Sequence, residues 1–260
     1  MPFEPIVGPA GWQGQQLFET HPWPMRLSTA DLDELAAATS STAALPIATL
    51  SRHNFELPQL APKLASLQTE LEEGCGAILI KGCDVERFSA DDLQRMFYGL
   101  TTHLGTAVSQ SSAGDIVFSV RDEGYKADDA KTRGPNTSKR LSFHTDRCDV
   151  IAFLCLQQAI TGGENQIVSS VAVYNQILSE RPDLLHVLTQ LFYYKRHNVD
   201  AGNADAYCQQ PIFSFCEGHF ASAFLRVLID RAYADPNTPD MTTSQKEALD
   251  FVEQVCERQS

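Results

Sequence analysis

After Gly105 the apolar residues of this 260-residue chain change their spacing, from a helical period to a strand-like one. Before that point the helix signals are local and repeated. Ser28 with Asp31 makes a capping-box start for ADLDELAAAT. A second helix, APKLASLQTELEE (61–73), stops at Gly74, a natural C-terminal glycine. Ser89 with Asp92 caps ADDLQRMFYGLTTHL, which Gly105 ends, and GAILIKG (76–82) between them has the composition of a short buried strand. Beyond Gly105, the segments AVSQ, DIVFSVRD (115–122), VIAFLCLQ (150–157) and QIVSS (166–170) read as strands, and PIFSFCEGHFASAF as a hairpin turning at Glu217-Gly218. Helices are expected at about 171–179 and 183–190, with Pro182 near the first turn of the latter, and Thr242 with Gln245 boxes a last one to about 257. Early helices followed by scattered strands give no βαβ alternation, which argues against a doubly wound parallel sheet. The expected class is α+β or mainly β, an antiparallel sandwich or barrel decorated with helices. Residues 1–27, with five prolines, read as an irregular arm ahead of one domain over 28–260.

Charge narrows the partners. A net charge of −13 with no basic cluster argues against nucleic acid and anionic membrane surfaces. No apolar run is long enough to span a bilayer, and the N-terminus lacks the pattern of a secretory signal, so a cytoplasmic protein is expected. The seven cysteines are odd in number and form no C-x-x-C pair, which favours reduced, packed thiols over a disulfide framework or a zinc site. Cys148 and Cys155 are assigned to packing. A small-molecule partner is expected, and the sequence leaves a homo-oligomer open.

The residues best suited to chemistry are Phe143-His144-Thr145-Asp146. Residues two apart on a strand point to the same face, so His144 and Asp146 can converge on one ion. An imidazole and a carboxylate are two of the three ligands of the 2-His-1-carboxylate triad, which leaves open positions on an octahedral iron. Taken alone, the tripeptide is equally a strand end with a surface histidine and a solvated aspartate. About twenty residues on comes Thr161-Gly162-Gly163-Glu164-Asn165, by itself a tight turn permitting positive φ. The 18-residue polar stretch EGYKADDAKTRGPNTSKR ahead of the tripeptide has the length of a lid over a site.

In order, the H-T-D strand, the apolar strand, the G-G-E-N turn, a small-residue strand and a helix with Tyr174 resemble the taurine-dioxygenase (TauD/TfdA-like) family. The G-A-I-L-I-K-G segment, the S-A-D-D-L helix start, Leu104-Gly105, Gln110, Val120-Arg121-Asp122, R-P-D-L-L and the late hairpin extend the likeness over roughly 75–250. The resemblance implies a double-stranded β-helix (jelly roll) that uses iron(II), 2-oxoglutarate and dioxygen. It implies that His144 and Asp146 are iron ligands and that Asn165, where the family places Thr or Ser, donates to the 2-oxoglutarate carboxylate; Gln110 is a donor near the site. The family also uses a later histidine and an arginine on a G-D-(I/L)-x-x-x-N-N strand, which this sequence does not reach before Ser260; the last strands are accordingly expected to be missing, as in a truncated chain. His186, His197 and His219 read as packed or surface residues rather than substitutes, and Arg226 and Arg231 as weak stand-ins for the arginine. Three functions follow as expectations: hydroxylation of a small organic substrate with 2-oxoglutarate converted to succinate, a catalytically inactive binding protein of the same family, and a cupin-like metal hydrolase.

Overall fold

The computed structural model describes residues 3–14, 17, 19, 25–110, 114–121, 140–196 and 205–259. The expected lid, except Arg140, and His197 lie outside them. The chain forms two compact units, neither a continuous stretch of sequence: one takes residues 20–138 and 148–164, the other residues up to 19, 139–147 and 165–260.

The first unit is helical. β1 (Met25–Arg26) lies parallel to β2 (Ile80–Lys81), the one paired portion of the GAILIKG segment. Three helices, α1 (Thr29–Ser41), α2 (Ala61–Glu73) and α3 (Ala90–Thr101), follow the expected starts. Ser28 Oγ accepts from the Asp31 amide at 3.2 Å while the Asp31 carboxylate accepts from the Ser28 amide at 2.8 Å, so two amides that a helix start leaves without partners are satisfied reciprocally. Ser89 Oγ likewise caps α3 by accepting from the Asp92 amide, while the Asp92 carboxylate accepts from the Ser89 hydroxyl. Leu35, Phe55, Leu60, Leu64 and Met96 fill the core. Gly99 lies against the Phe55 ring, where an added Cβ would come within 2.5 Å of ring carbons, so the close approach of α3 requires glycine.

Asp31 is buried, 2% exposed, and receives the Lys63 ammonium at 2.7 Å. The Lys63 hydrogen bond lowers its pKa from 3.8 to about 2. Since the folded value lies below the ordinary one, the contribution is present above pH 3.8 and lost as pH falls through about 2. The stability gap between the wild type and Asp31→Asn is therefore expected to narrow as denaturation is followed from pH 4 downward; a gap independent of pH would contradict the assignment.

The second unit is built from α4 (Ser170–Glu180), α5 (Pro182–Leu188), β3 (Phe192–Lys195), β4 (Tyr207–Gln210), β5 (Phe213–Cys216), β6 (His219–Ser222), α6 (Arg226–Tyr233) and α7 (Thr243–Gln259). β3 and β4 pair antiparallel with Tyr194 opposite Cys208, and β5 and β6 with Phe215 opposite Phe220. Glu217 and Gly218, the two residues of the second hairpin's turn, have φ of 51° and 86°; positive φ at both turn positions gives a twist that matches two antiparallel strands. Tyr174, Phe192, Phe213, Ile229 and Leu249 are among the fully buried residues of one core. The arm is tied to this unit: Asn175 accepts from the Ile6 amide and donates to the Ile6 carbonyl, both at 2.8 Å.

The strand expectations need correction. Among the described residues AVSQ, DIVFSVRD, VIAFLCLQ and QIVSS form no ladder, and the β structure consists of three two-stranded sheets rather than the closed barrel of a jelly roll. Two causes are visible. Ile116, Val117 and Leu154 reach the helical core as single side chains rather than as the face of a sheet, leaving Phe153 70% exposed. Ser169 caps α4, its Oγ accepting from the Ala172 amide at 3.0 Å, so a helix start takes the end of QIVSS.

Candidate metal centre

His144 and Asp146 lie on an irregular segment rather than on a strand end, and its geometry comes from the residue between them. The Thr145 amide donates to the Phe224 carbonyl at 2.7 Å, and the Phe224 amide donates to Thr145 Oγ1 at 2.8 Å. Phe224 is itself held in the core, and its neighbour Ala223 is fixed on both sides: its amide donates to the Ile212 carbonyl at 2.8 Å, and its carbonyl accepts from the buried Tyr194 hydroxyl. Phe143 packs against the same core. With Thr145 clamped by backbone and side chain, the two flanking side chains meet on the other side. His144 Nε2 is 4.0 Å from Asp146 Oδ1.

The imidazole is oriented as a ligand must be. His144 Nδ1 lies 2.7 Å from the Ser142 carbonyl oxygen, which can only accept, so Nδ1 carries a proton and Nε2 is the nitrogen that a metal would take. Two adjacent ligands on an octahedral ion, each at about 2.1 Å, stand roughly 3 Å apart, so closing by about 1 Å would seat both on one ion. The side chains are 30% and 51% exposed, which leaves room for that rotation. The donors thus fit two of three positions. Among the described residues no third histidine, cysteine or carboxylate joins them.

Asp146 also lines a cavity of about 230 Å³ with Thr145, Arg147, Tyr194, Gln210 and Phe224, all from one unit. Burial raises the Tyr194 hydroxyl pKa, while hydrogen bonding with Gln210 opposes it. Tyr194, Gln210 and Phe224 carry no local sequence signal, because only the pairing of β3 with β4 and the path after β6 bring them to the pair. Arg147, next to Asp146 in sequence, could have been singled out by position alone.

The remaining candidates are not among the residues that line this cavity. Asn165 is exposed. Gln110, in the other unit, uses its side-chain amide to donate to the Val108 carbonyl at 3.1 Å. Arg226 is fully committed as the 15%-exposed centre of ion pairs to Asp230, Asp250 and Glu253 at 2.7–3.2 Å, and is no stand-in for a cosubstrate arginine. Arg231 lines a separate cleft with Lys195, Arg196 and Asp235. His186 is exposed with its ring centroid 6.3 Å from that of Phe3, and His219 opens β6 as an exposed residue. Gly162 and Gly163 have φ of 75° and 78°, the left-handed turn their pairing predicts.

Comparison with known proteins gives the ancestry of this arrangement. The family model described as taurine catabolism dioxygenase TauD, TfdA family matches residues 39–260. FR-33289 synthase of Streptomyces rubellomurinus is 31% identical over 263 residues, covering 98% of this chain and 76% of that protein. The taurine hydroxylase-like protein SAT17 of Stachybotrys chartarum is 31% identical over 188 residues, covering 69% of this chain and 49% of that protein, so the chain spans about half of the second relative's length. No helix among the described residues is long and apolar enough to cross a membrane. On the match over residues 39–260 and these relatives, the chain belongs to the TauD/TfdA family of dioxygenase-like proteins.

Proposed function

We propose that the chain is an iron(II)- and 2-oxoglutarate-dependent dioxygenase that hydroxylates a C–H bond of a small organic substrate. The observation that carries this reading is the His144–Asp146 pair, 4.0 Å apart with the imidazole tautomer set by the Ser142 carbonyl. Iron(II) with 2-oxoglutarate and dioxygen supplies the oxidising power for hydroxylation, 2-oxoglutarate leaving as succinate and carbon dioxide. The chain's own work is to hold and to orient. His144 and Asp146 hold the metal, and Asn165 donates from its amide to a 2-oxoglutarate carboxylate. Gln110 is kept as a further candidate donor by its place in the family pattern. Phe224 and Leu225 give the cavity an apolar wall against which a substrate sheds water. The same reading takes 28–260 as one family domain, working in the cytoplasm. The names of the relatives, a synthase and a hydroxylase-like protein, accord with oxidative chemistry.

A second reading is favoured by the absence of a third ligand beside the pair among the described residues: a family member that binds without catalysis. Succinate release with iron(II), ascorbate and 2-oxoglutarate, measured beside metal binding by calorimetry, separates the two. Iron-dependent release is expected for the enzyme. A cooperatively folded chain that binds no metal and releases no succinate would leave the binding protein.

A further inference from the structure

The cavity beside the metal pair carries a positive charge that forms no ion pair among the described residues. Arg147 follows Asp146 directly, and its side chain shares the cavity with Gln210 and Tyr194. Among the described residues no carboxylate lies within ion-pair distance of its guanidinium, whose Nη2 instead donates to Cys208 Sγ, a weak acceptor, at 3.5 Å. Arg140, Arg181, Arg226 and Arg258 of this unit are answered by carboxylates, whereas Arg147, like Arg231 beside its own cleft, forms no ion pair among the described residues. Asp146 lines the same cavity without forming an ion pair with Arg147, which leaves the guanidinium as the uncommitted charge of the cavity wall.

We propose that Arg147, with Gln210 as a neutral donor beside it, forms an oxyanion subsite that holds the acidic group of the substrate next to the metal pair. A guanidinium fork matches the two oxygens of a carboxylate or related oxyanion, and it repels an ammonium. Gln210 adds donors without charge, and the 230 Å³ of the cavity limits the ligand to a small one. The substrate class is thereby an organic acid rather than an amine. The inference rests on the proposed function in one respect, that the ligand held there is the substrate.

The test uses the full chain with propionate as the probe, followed by ligand-observed NMR, and Mn(II) binding is measured separately. Propionate is expected to bind the wild type and propylammonium not to compete. Arg147→Gln should weaken propionate binding about tenfold or more, and Arg147→Lys should fall between, since lysine keeps the charge and loses the fork. Saturating 2-oxoglutarate should leave propionate in place. Equal propionate affinity in the wild type and Arg147→Gln, or no binding to the wild type, would overturn the subsite. Displacement of propionate by 2-oxoglutarate would also overturn it, giving the arginine to the cosubstrate. Mn(II) affinity should be the same in Arg147→Gln as in the wild type, and a large loss there would mean that Arg147 acts through the metal pair. A wild type that takes up no Mn(II) yet binds propionate through Arg147 would sink the oxygenase reading and leave the subsite standing.

Discussion

Replacing His144 with alanine is expected to lower metal affinity by at least about 100-fold, because loss of a supporting partner alone costs about 10–100-fold and this change removes a donor atom itself. Asp146→Ala should do the same. The double variant should be hardly worse than either, since one remaining donor cannot hold an ion that needs the pair. Any turnover of 2-oxoglutarate should vanish with the metal. Neither side chain belongs to a packed core: they are 30% and 51% exposed, and folding stability should change by no more than about 0.5 kcal/mol. That separation makes the experiment decisive. A folded His144→Ala chain that titrates with Mn(II) as the wild type does would place the metal elsewhere. A variant that loses binding and also unfolds would show instead that the imidazole, through its bond to the Ser142 carbonyl, is structural.

The largest effect on stability is expected in α7. Leu249 is fully buried in the core that also holds Ile177, Leu185 and Ile229. Truncating it to alanine removes apolar surface from that core and leaves a void that neighbouring helices fill only in part, at about 2–5 kcal/mol. Against a total stability of about 5–15 kcal/mol, this is a large fraction. Urea denaturation should show a lower midpoint with an unchanged slope, the sign of lost packing rather than an altered unfolded state. Because β6 and Phe224 draw on the same core, metal affinity should fall along with the midpoint. A Leu249→Ala chain with a wild-type midpoint would mean that α7 contributes little to holding this unit together.

The helix starts were legible because their cause is local. Ser28 with Asp31, Ser89 with Asp92, and Thr242 with Gln245 each settle their own amides within three residues, and all three appear where the sequence predicts them. The hairpin at Glu217-Gly218 was legible for the same reason. Strands are different, since an eight-residue window reports composition but not a partner. VIAFLCLQ has the residues of a buried strand, yet Phe153 and Leu156 are exposed and Leu154 packs singly on a helical core. The candidate site divides along the same line. Spacing alone indicated that His144 and Asp146 share a side, and they meet at 4.0 Å. What makes them meet, a clamp between Thr145 and a residue 79 positions away, has no signature in the tripeptide, and neither has the approach of Gln210 and Tyr194.

The clamp has a consequence for how such a site can diversify. Thr145, through its own amide and hydroxyl, grips only main-chain atoms of residue 224, while the side chain at 224 is buried in the core. The main chain at 224 therefore sets where His144 and Asp146 stand, whatever side chain it carries. Exchanging Phe224 for another large apolar residue would repack the core while the hinge pin stays in its socket. Placement of the pair and packing of the unit are thus written on two separable parts of one residue, and a lineage can alter the second without reopening the first.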